Sequence, residues 1–436
     1  MALSFRGGLC LDGQKITARE PIITMAAPDV VTLPLLQHKG EPCKPLVKEG
    51  DAVLKGQLIA VDENGEAPLH ASVSGRILAI QKTVTTLGET DALVIENDHK
   101  DTLSPEIRPF HKPISKAEPE ELIAHIREKG IVGMGGKGFP TWRKIEAARG
   151  KAKTLIINCT ESEPYLTSDH RILLEKTEEV VGGVKILLRA TGCEKAIFAI
   201  ENNKEDAVEA LGRIVGSSPS FAIAVFRSKY PQGDEKNLIR AMMNKEIKEG
   251  TLPVDMGVVT FNVETGWDIY RAFVTGLPVT ERLVTVSGDC VKSPANLMVP
   301  LGASFHQVLQ CCGGLFSPPN RILSGGPMMG EAIGDENIPV TKCVGAILAL
   351  SAPKEKESPC IRCGRCVRAC PLRLMPLELY QAVKTKNHPK AELYSIRSCN
   401  ECGLCTYVCP SRIPLLEVIR GGKGALAAKE EGGTNG

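Results

Sequence analysis

Eight of the sixteen cysteines in this 436-residue chain fall into two runs of one spacing, Cys360-x2-Cys363-x2-Cys366-x3-Cys370-Pro371 and Cys399-x2-Cys402-x2-Cys405-x3-Cys409-Pro410. Four thiolates so spaced are the ligand set of a cubane iron–sulfur cluster, and two consecutive runs make a two-cluster unit. Three thiolates at steps of three residues wrap one cube, while the fourth reaches the other cluster. The expected sets are therefore Cys360, Cys363, Cys366 and Cys409 for one [4Fe–4S] cluster, and Cys399, Cys402, Cys405 and Cys370 for the other. Pro371 and Pro410 end the runs because proline has no N–H with which to continue local hydrogen bonding. Structural zinc is the alternative, but zinc ribbons set C-x2-C pairs far apart rather than four thiolates close together. The chemistry implied is transfer of electrons one at a time.

A second group of chemistry-bearing residues lies mid-chain. Gly133-Met134-Gly135-Gly136-Lys137-Gly138-Phe139-Pro140-Thr141 packs four glycines into six residues. Such a loop brings backbone close to a ligand and turns N–H groups toward an anion. A helical pattern follows at 144–148, and a phosphate at a helix start gains from the helix dipole. Because no strand runs directly into the loop, the dinucleotide fingerprint is not met, and a plain turn is the alternative reading. Asn158-Cys159-Thr160-Glu161-Ser162-Glu163-Pro164 stands where an apolar strand over 155–157 ends, the place where open α/β sheets bind ligands. A solvated acidic loop is the other reading there. Tyr230-Pro231-Gln232-Gly233-Asp234-Glu235-Lys236-Asn237 and Phe261-Asn262-Val263-Glu264-Thr265 complete the set.

The elements that position these residues divide a chain too long for one core. Residues 29–100 alternate short apolar runs with Gly, Pro, Asp and Asn, a pattern of small twisted β structure. Residues 105–118 read as a linker. Over 119–280, continuous apolar runs at 155–157 and 196–200 predict buried parallel strands. Helical patterns at 119–129, 180–190 and 204–215 surround them, so this is an α/β domain. Residues 281–350 predict short strands around one helix at 304–312, and 354–420 turn helical around the cysteines. The Gly-, Ala- and Glu-rich tail 421–436 is expected to be disordered.

Composition narrows the class. The chain is 43% hydrophobic and 24% charged with a net charge of +2, as in ordinary soluble proteins. No apolar run approaches the ~18 residues that span a bilayer, and residues 1–8 do not resemble a signal peptide. Many cysteines without a secretion signal point to a reducing compartment. Cys10, Cys43, Cys159, Cys193, Cys290, Cys311, Cys312 and Cys343 read as small hydrophobes. From 354 to 423, thirteen Lys/Arg face six Asp/Glu, positive charge that suits anionic clusters; without interleaved aromatics it does not predict a nucleic-acid surface.

Several stretches resemble known families. Val47-Lys48-Glu49-Gly50-Asp51-Ala52-Val53-Leu54-Lys55-Gly56-Gln57-Leu58-Ile59-Ala60, with Ser72-Val73-Ser74-Gly75-Arg76-Ile77, resembles the barrel-sandwich hybrid of biotinyl and lipoyl carriers. Its hairpin, Asp62-Glu63-Asn64-Gly65-Glu66, has no acceptor lysine and suits a tight turn, so carrier function is not implied. The four central motifs occur in the same order in the flavin-carrying, NADH-oxidising subunit of respiratory complex I. That resemblance implies FMN and NADH in one cavity. Gly133, Gly135, Gly136 and Gly138, with Lys144, would surround the FMN phosphate and ribityl chain. Asn158, Glu161 and Asn262 would contact the flavin with Thr265 nearby, and Glu163, Asp234 and Glu235 would line the NADH side as acceptors for hydroxyls or an amide. Met134 stands where that family has arginine and Thr160 where it has aspartate. Residues 281–350 resemble the soluble-ligand-binding β-grasp domain of electron-transfer subunits.

The whole order is thus multidomain α/β and β: a barrel-sandwich hybrid (29–100), an α/β FMN-binding domain (119–280), a β-grasp domain (281–350) and a C-terminal helical two-cluster ferredoxin-like domain (354–420). It is similar to the RnfC family, the C subunits of the Rnf ion-translocating ferredoxin:NAD oxidoreductases, and it departs from the complex I protein in ending with two clusters rather than one. The resemblance implies a peripheral electron-transfer subunit on the cytoplasmic face of a membrane, held by other subunits and exchanging electrons with NAD(H) and a ferredoxin-type carrier. A flavin is needed because nicotinamide gives electrons in pairs and cubanes take them singly. No residue is assigned as a general acid or base, since hydride transfer between these cofactors needs none. Two alternatives remain at this point: a flavin/iron–sulfur cobalamin reductase of a microcompartment, and a flavin-free iron–sulfur relay.

Overall fold

The computed structural model describes residues 2–433 other than 246, 248, 249 and 353–355, and the side chains of 428–433 lie outside that description. At the centre is an all-parallel sheet in the order Phe221–Phe226, Lys195–Glu201, Thr154–Cys159, Val258–Asn262. A parallel sheet is covered on both faces and needs continuous apolar strands; Leu155, Ile156, Ile157, Phe198, Ala199 and Ile200 are all fully buried. Helix Thr177–Thr191 buries Val180, Val184 and Leu187, and helix Glu205–Val215 buries Ala207, Leu211 and Val215. Both bury one apolar face, as their periodicity predicts. The register sets Asn158 beside Asn262, so two amides end neighbouring strands on one edge of the sheet.

Residues 29–100 form two small antiparallel sheets. The hairpin at 62–66 is a tight turn: the Asp62 carboxylate accepts from the Asn64 and Glu66 amides (2.9 and 2.7 Å), and Gly65 takes φ +60°. Its tip does not swing free. Arg127 Nε donates to the Gly65 carbonyl (2.7 Å) and Trp142 Nε1 to that of Glu66 (2.7 Å). The hairpin is therefore docked on the central domain, a second reason that it cannot serve as a carrier arm.

The third unit is a six-stranded mixed sheet in the order Ile22–Thr24, Ala295–Pro300, Glu281–Ser287, Ala346–Leu350, Arg321–Ser324, Glu331–Ile333. Helix Phe305–Cys311 packs on it behind a Ser304–Gln307 capping box. Its edge strand Ile22–Thr24 comes from the amino-terminal segment and pairs in parallel with Ala295–Pro300, a partner no local pattern indicated. Lys342, fully buried, joins three units: its Nζ donates to the carbonyls of Pro68 (3.0 Å) and Gly130 (2.8 Å). Burial draws its ammonium down to about 8.

The cysteine-bearing unit is helical, with Leu379, Ala382, Ile396, Leu415, Ile419 and Leu426 as its core. The expectation of a disordered tail from residue 421 is corrected: helix Leu415–Gly433 runs on through it. Leu426 is buried, and Lys423 Nζ donates to the Cys399 carbonyl (2.7 Å) and to Glu401 (2.8 Å). Glycine weakens a helix by about 1 kcal/mol each, but one buried apolar face and two anchored hydrogen bonds offset it. Residues 434–436 lie outside the described residues.

Candidate functional site

The glycine loop closes on itself before it meets anything else. The Gly133 amide donates to the Phe139 carbonyl (2.8 Å) and the Gly138 amide to that of Gly133 (3.3 Å). Gly138 has φ +58°, and a Cβ there would stand 2.6 Å from Cys343 Sγ, so the position calls for glycine. Three domains hold the loop. The Thr265 hydroxyl accepts from the Met134 amide (3.0 Å), the Lys39 amide donates to the Gly138 carbonyl (2.9 Å), and Arg282 donates to the Met134 carbonyl. Between these anchors Gly135, Gly136 and Lys137 are exposed, and among the described residues their N–H groups donate to no protein atom. Gly135 faces Asn262, whose Cβ lies 3.7 Å from the position a Gly135 Cβ would take. Unpaired N–H groups in a turn, two of them on glycines, suit an anionic phosphate, so the loop fits FMN.

The strand ends supply polar atoms on the same side. Asn158 Nδ2 donates to the Gly233 carbonyl (2.8 Å), tying the strand end to the acidic turn. Asn262 caps the helix Val263–Thr275 through the Glu264 amide and donates from Nδ2 to Asp169 (2.7 Å). Glu161, at φ +47°, accepts from the Asp169 amide through Oε1 (2.7 Å), while its buried Oε2 has no hydrogen-bond partner. Burial, then the Glu161 and Glu264 carboxylates, push Asp169 well above the usual carboxyl range. Lys144 Nζ meets Glu235 at 2.9 Å. Burial works to raise the Glu235 carboxyl, but the Lys144 ammonium outweighs it and holds it low. Asp234 caps the helix Glu235–Met243 through the Asn237 amide, and burial raises its carboxyl.

Glu163, expected on the NADH side, is held by protein partners. Its carboxylate accepts from the amides of Met328 (3.2 Å) and Met329 (2.9 Å), with the Tyr230 hydroxyl 3.3 Å away. Its oxygens are thus engaged in fastening the central domain to a loop of the six-stranded unit, and burial raises the group to about 7.

The cysteines stand in two groups. Cys370, Cys399, Cys402 and Cys405 line one small cavity whose other walls include Leu374, Pro376, Leu379, Leu404, Leu416 and Ile419. Cys366 faces Cys409 and Cys363. Among the described residues no three His, Cys, Asp or Glu converge as a single ion requires; thiols spread around an apolar cavity suit a sulfur-bridged cluster better than zinc. The amides of Arg362 and Leu374 point at Cys360 and Cys370 Sγ (3.4 and 3.3 Å), the kind of contact that tunes cluster potential.

Three positioning residues were not legible in the sequence. Arg282 is buried and bonds the carbonyls of Met134 and Lys342, beside Glu264 at 3.4 Å; a charge directly before the uncharged run 283–287 was its one signal. Lys15 donates to the carbonyls of Glu161 (2.8 Å), Glu163 (2.8 Å) and Leu166 (2.5 Å), and burial lowers it to about 8 against the pull of Glu161. Lys204 donates to the Thr160 carbonyl (2.6 Å). Neither lysine lies in a recognisable motif.

Known protein families match each of the four units. Residues 126–271 match the Nuo51 FMN-binding domain, 3–100 the RnfC barrel sandwich hybrid domain, 283–332 the SLBB domain and 359–413 the 4Fe-4S dicluster domain. The C subunit of the Na+-translocating ferredoxin:NAD+ oxidoreductase complex of Acetobacterium woodii is 37% identical over 89% of each chain. The proton-translocating counterpart of Clostridium ljungdahlii is 40% identical over 88% of this chain and 87% of its own. The C subunit of the ion-translocating oxidoreductase complex of Rhodobacter capsulatus is 41% identical over 87% and 74%. A chain of an NAD+-reducing [NiFe]-hydrogenase shares the fold at a TM-score of 0.51 and 18% identity, over 68% of this chain and 63% of that one. With identity at this level along nearly its whole length, the chain belongs to the RnfC family, the C subunits of ion-translocating ferredoxin:NAD+ oxidoreductase complexes.

Proposed function

We propose that this chain is the NAD(H)-linked electron-transfer subunit of a membrane complex that couples electron flow between NAD(H) and ferredoxin to ion translocation. The observation that carries this reading is the meeting of the two sites: the Tyr230 hydroxyl, in the acidic turn, donates to the Cys402 carbonyl at 2.8 Å, and the Asn400 amide faces Asp234. FMN, when bound, supplies the exchange between a hydride pair and single electrons that [4Fe–4S] clusters carry onward.

The chain's own residues bind and orient. Gly135, Gly136 and Lys137 N–H groups hold the phosphate, with Gly133 and Gly138 shaping the turn. Asn158, Asn262 and Thr265 fix the strand ends and loop around the flavin, and Glu161 Oε2 is left to accept from it. Lys144, paired with Glu235, stands with the glycines around the phosphate and ribityl chain; Asp234 and Glu235 line the nicotinamide side, with Glu163 holding its floor. Cys360, Cys363, Cys366 and Cys409 ligate one cluster and Cys399, Cys402, Cys405 and Cys370 the other. Other subunits hold the chain peripherally on the cytoplasmic face; among the described residues no helix is long and apolar enough to cross a membrane.

Anaerobically purified protein tests this directly. It should carry about eight irons on that ligand count and FMN, and NADH should bleach its clusters. Gly135→Val should strip the flavin, by filling the face turned to Asn262, while iron content stays. Iron without flavin or NADH bleaching in the parent protein would make it a relay instead.

A further inference from the structure

The two cysteine runs share spacing but not surroundings, and the difference marks the face through which electrons cross to another protein. Aligned by their cysteines, Arg362, Arg365 and Arg368 of the first run stand where the second has Glu401, Leu404 and Tyr407. If arginines were needed only to neutralise an anionic cluster, both runs would carry them, because both would bear the same cluster charge.

The second run is turned inward. Leu404 is fully buried in a cluster with Tyr230, Met328, Ala369 and Cys402. Gly403, at φ +76°, lies so close to the six-stranded unit that a Cβ would meet the Met328 carbonyl at 2.5 Å. Glu401 is taken up by Arg420 (3.1 Å) and Lys423 (2.8 Å). Cys370, which shares that cavity, is flanked by Arg240 on the Pro371 carbonyl (3.1 Å) and by the Gly8 amide on the Ala369 carbonyl (3.0 Å).

The first run is turned outward. Cys360 is exposed, Ile361 is 68% exposed, and Arg362, Arg365 and Arg368 stand around it. Residues 358–373 contain four arginines and no acidic residue. Local hydrogen bonds fasten this stretch up to Arg368, from the Ser358 amide to the Ser411 carbonyl, from Ser411 Oγ to the Pro359 carbonyl, and from Arg368 to the Cys363 carbonyl. An apolar centre ringed by arginine is the composition of a protein interface.

We propose that the loop 360–368, with Ile361 at its centre and Arg362, Arg365 and Arg368 around it, docks an acidic one-electron carrier protein onto the cluster held there. This rests on the electron-transfer function proposed above. In the exchange one electron passes between the carrier's centre and that cluster, one being oxidised as the other is reduced, and no bond or proton moves. The second cluster, packed against the acidic turn, lies on the flavin side.

The test uses the intact holoprotein and, as probe, a small acidic ferredoxin reduced beforehand, its reoxidation by the oxidised protein followed by stopped flow over a series of salt concentrations. Wild-type protein should show a rate that falls steeply with salt, since exposed charges steer association by roughly 10- to 1,000-fold. The double variant Arg362→Glu/Arg365→Glu should be at least about tenfold slower at low salt and lose that salt slope. Its iron content and NADH bleaching should match wild type. A variant that keeps the wild-type rate and slope overturns the proposal, as does loss of iron, which would assign the arginines to cluster retention. Absence of NADH bleaching in wild type would sink the functional reading separately, because ferredoxin oxidation at this face does not need NADH.

Discussion

Single residues in this molecule are asked to fasten domains as much as to touch cofactors. Glu163 shows it: a carboxylate in a motif that the family resemblance assigns to NADH spends its oxygens on two amides of another domain. Burial raises it from its ordinary 4.5 to about 7, so between those pH values the folded chain holds more protons than the unfolded one. The contribution of this group to stability is therefore greatest below pH 4.5 and is lost as pH rises through 7. Glu163→Gln should remove that slope; thermal midpoints at about pH 5 and about pH 8 should differ less in the variant than in wild type. Arg282 is the complementary case. Removing it as Arg282→Met leaves Glu264 buried without its counter-charge, which costs about 3–5 kcal/mol, measurable by denaturant unfolding. It also frees the Met134 carbonyl, so FMN should bind more weakly while iron content is unchanged; Arg282→Lys should restore stability only in part, since lysine lacks the fork that reaches two carbonyls.

At the scale of elements, the amino-terminal segment does more than its sparse pattern suggests. It bridges Leu3 to Phe226 and Leu9 to Tyr230, places Lys15 under the strand end, and closes as an edge strand on the third domain. The second cysteine loop is the other element whose packing sets function, because it meets both the central domain and the loop at 326–329. Leu404→Ala should cost about 2–5 kcal/mol, as for a fully buried leucine. Differential thermal unfolding followed by loss of the cluster absorbance should show the cysteine-bearing domain melting earlier. If it melts as in wild type, the contact does not stabilise that domain.

For the whole molecule, the first and third units grip the central domain: Lys39 and Arg282 hold its glycine loop, and the hairpin carbonyls of Gly65 and Glu66 accept from its Arg127 and Trp142. Their remaining surfaces are where the proposed contacts with neighbouring subunits are expected. Attachment through other subunits, as proposed above, should survive moderate salt and yield to chaotropes; among the described residues no helix is long and apolar enough to cross a membrane. Isolated protein should not sediment with protein-free liposomes, and tight binding to them would refute attachment through subunits.

Local chemistry made much of this readable from residue order alone. Cysteine spacing defines a cluster site because its ligands are neighbours in sequence, and continuous apolar runs at 155–157 and 196–200 define buried parallel strands because burial on both faces leaves no alternation. The glycine loop was readable for the same reason, since the turn it makes is built by glycines adjacent in sequence. Tertiary structure alone decided the rest. Arg282 reaches Met134 across 148 positions and Lys15 reaches Glu161 across 146, and no local pattern records such distant pairs. The amide partners of Glu163 come from another domain, and nothing in its own motif announces them. Helix Leu415–Gly433 forms over a glycine-rich sequence because a packed core gives it a buried face, and packing of that kind outweighs the intrinsic preference of the chain.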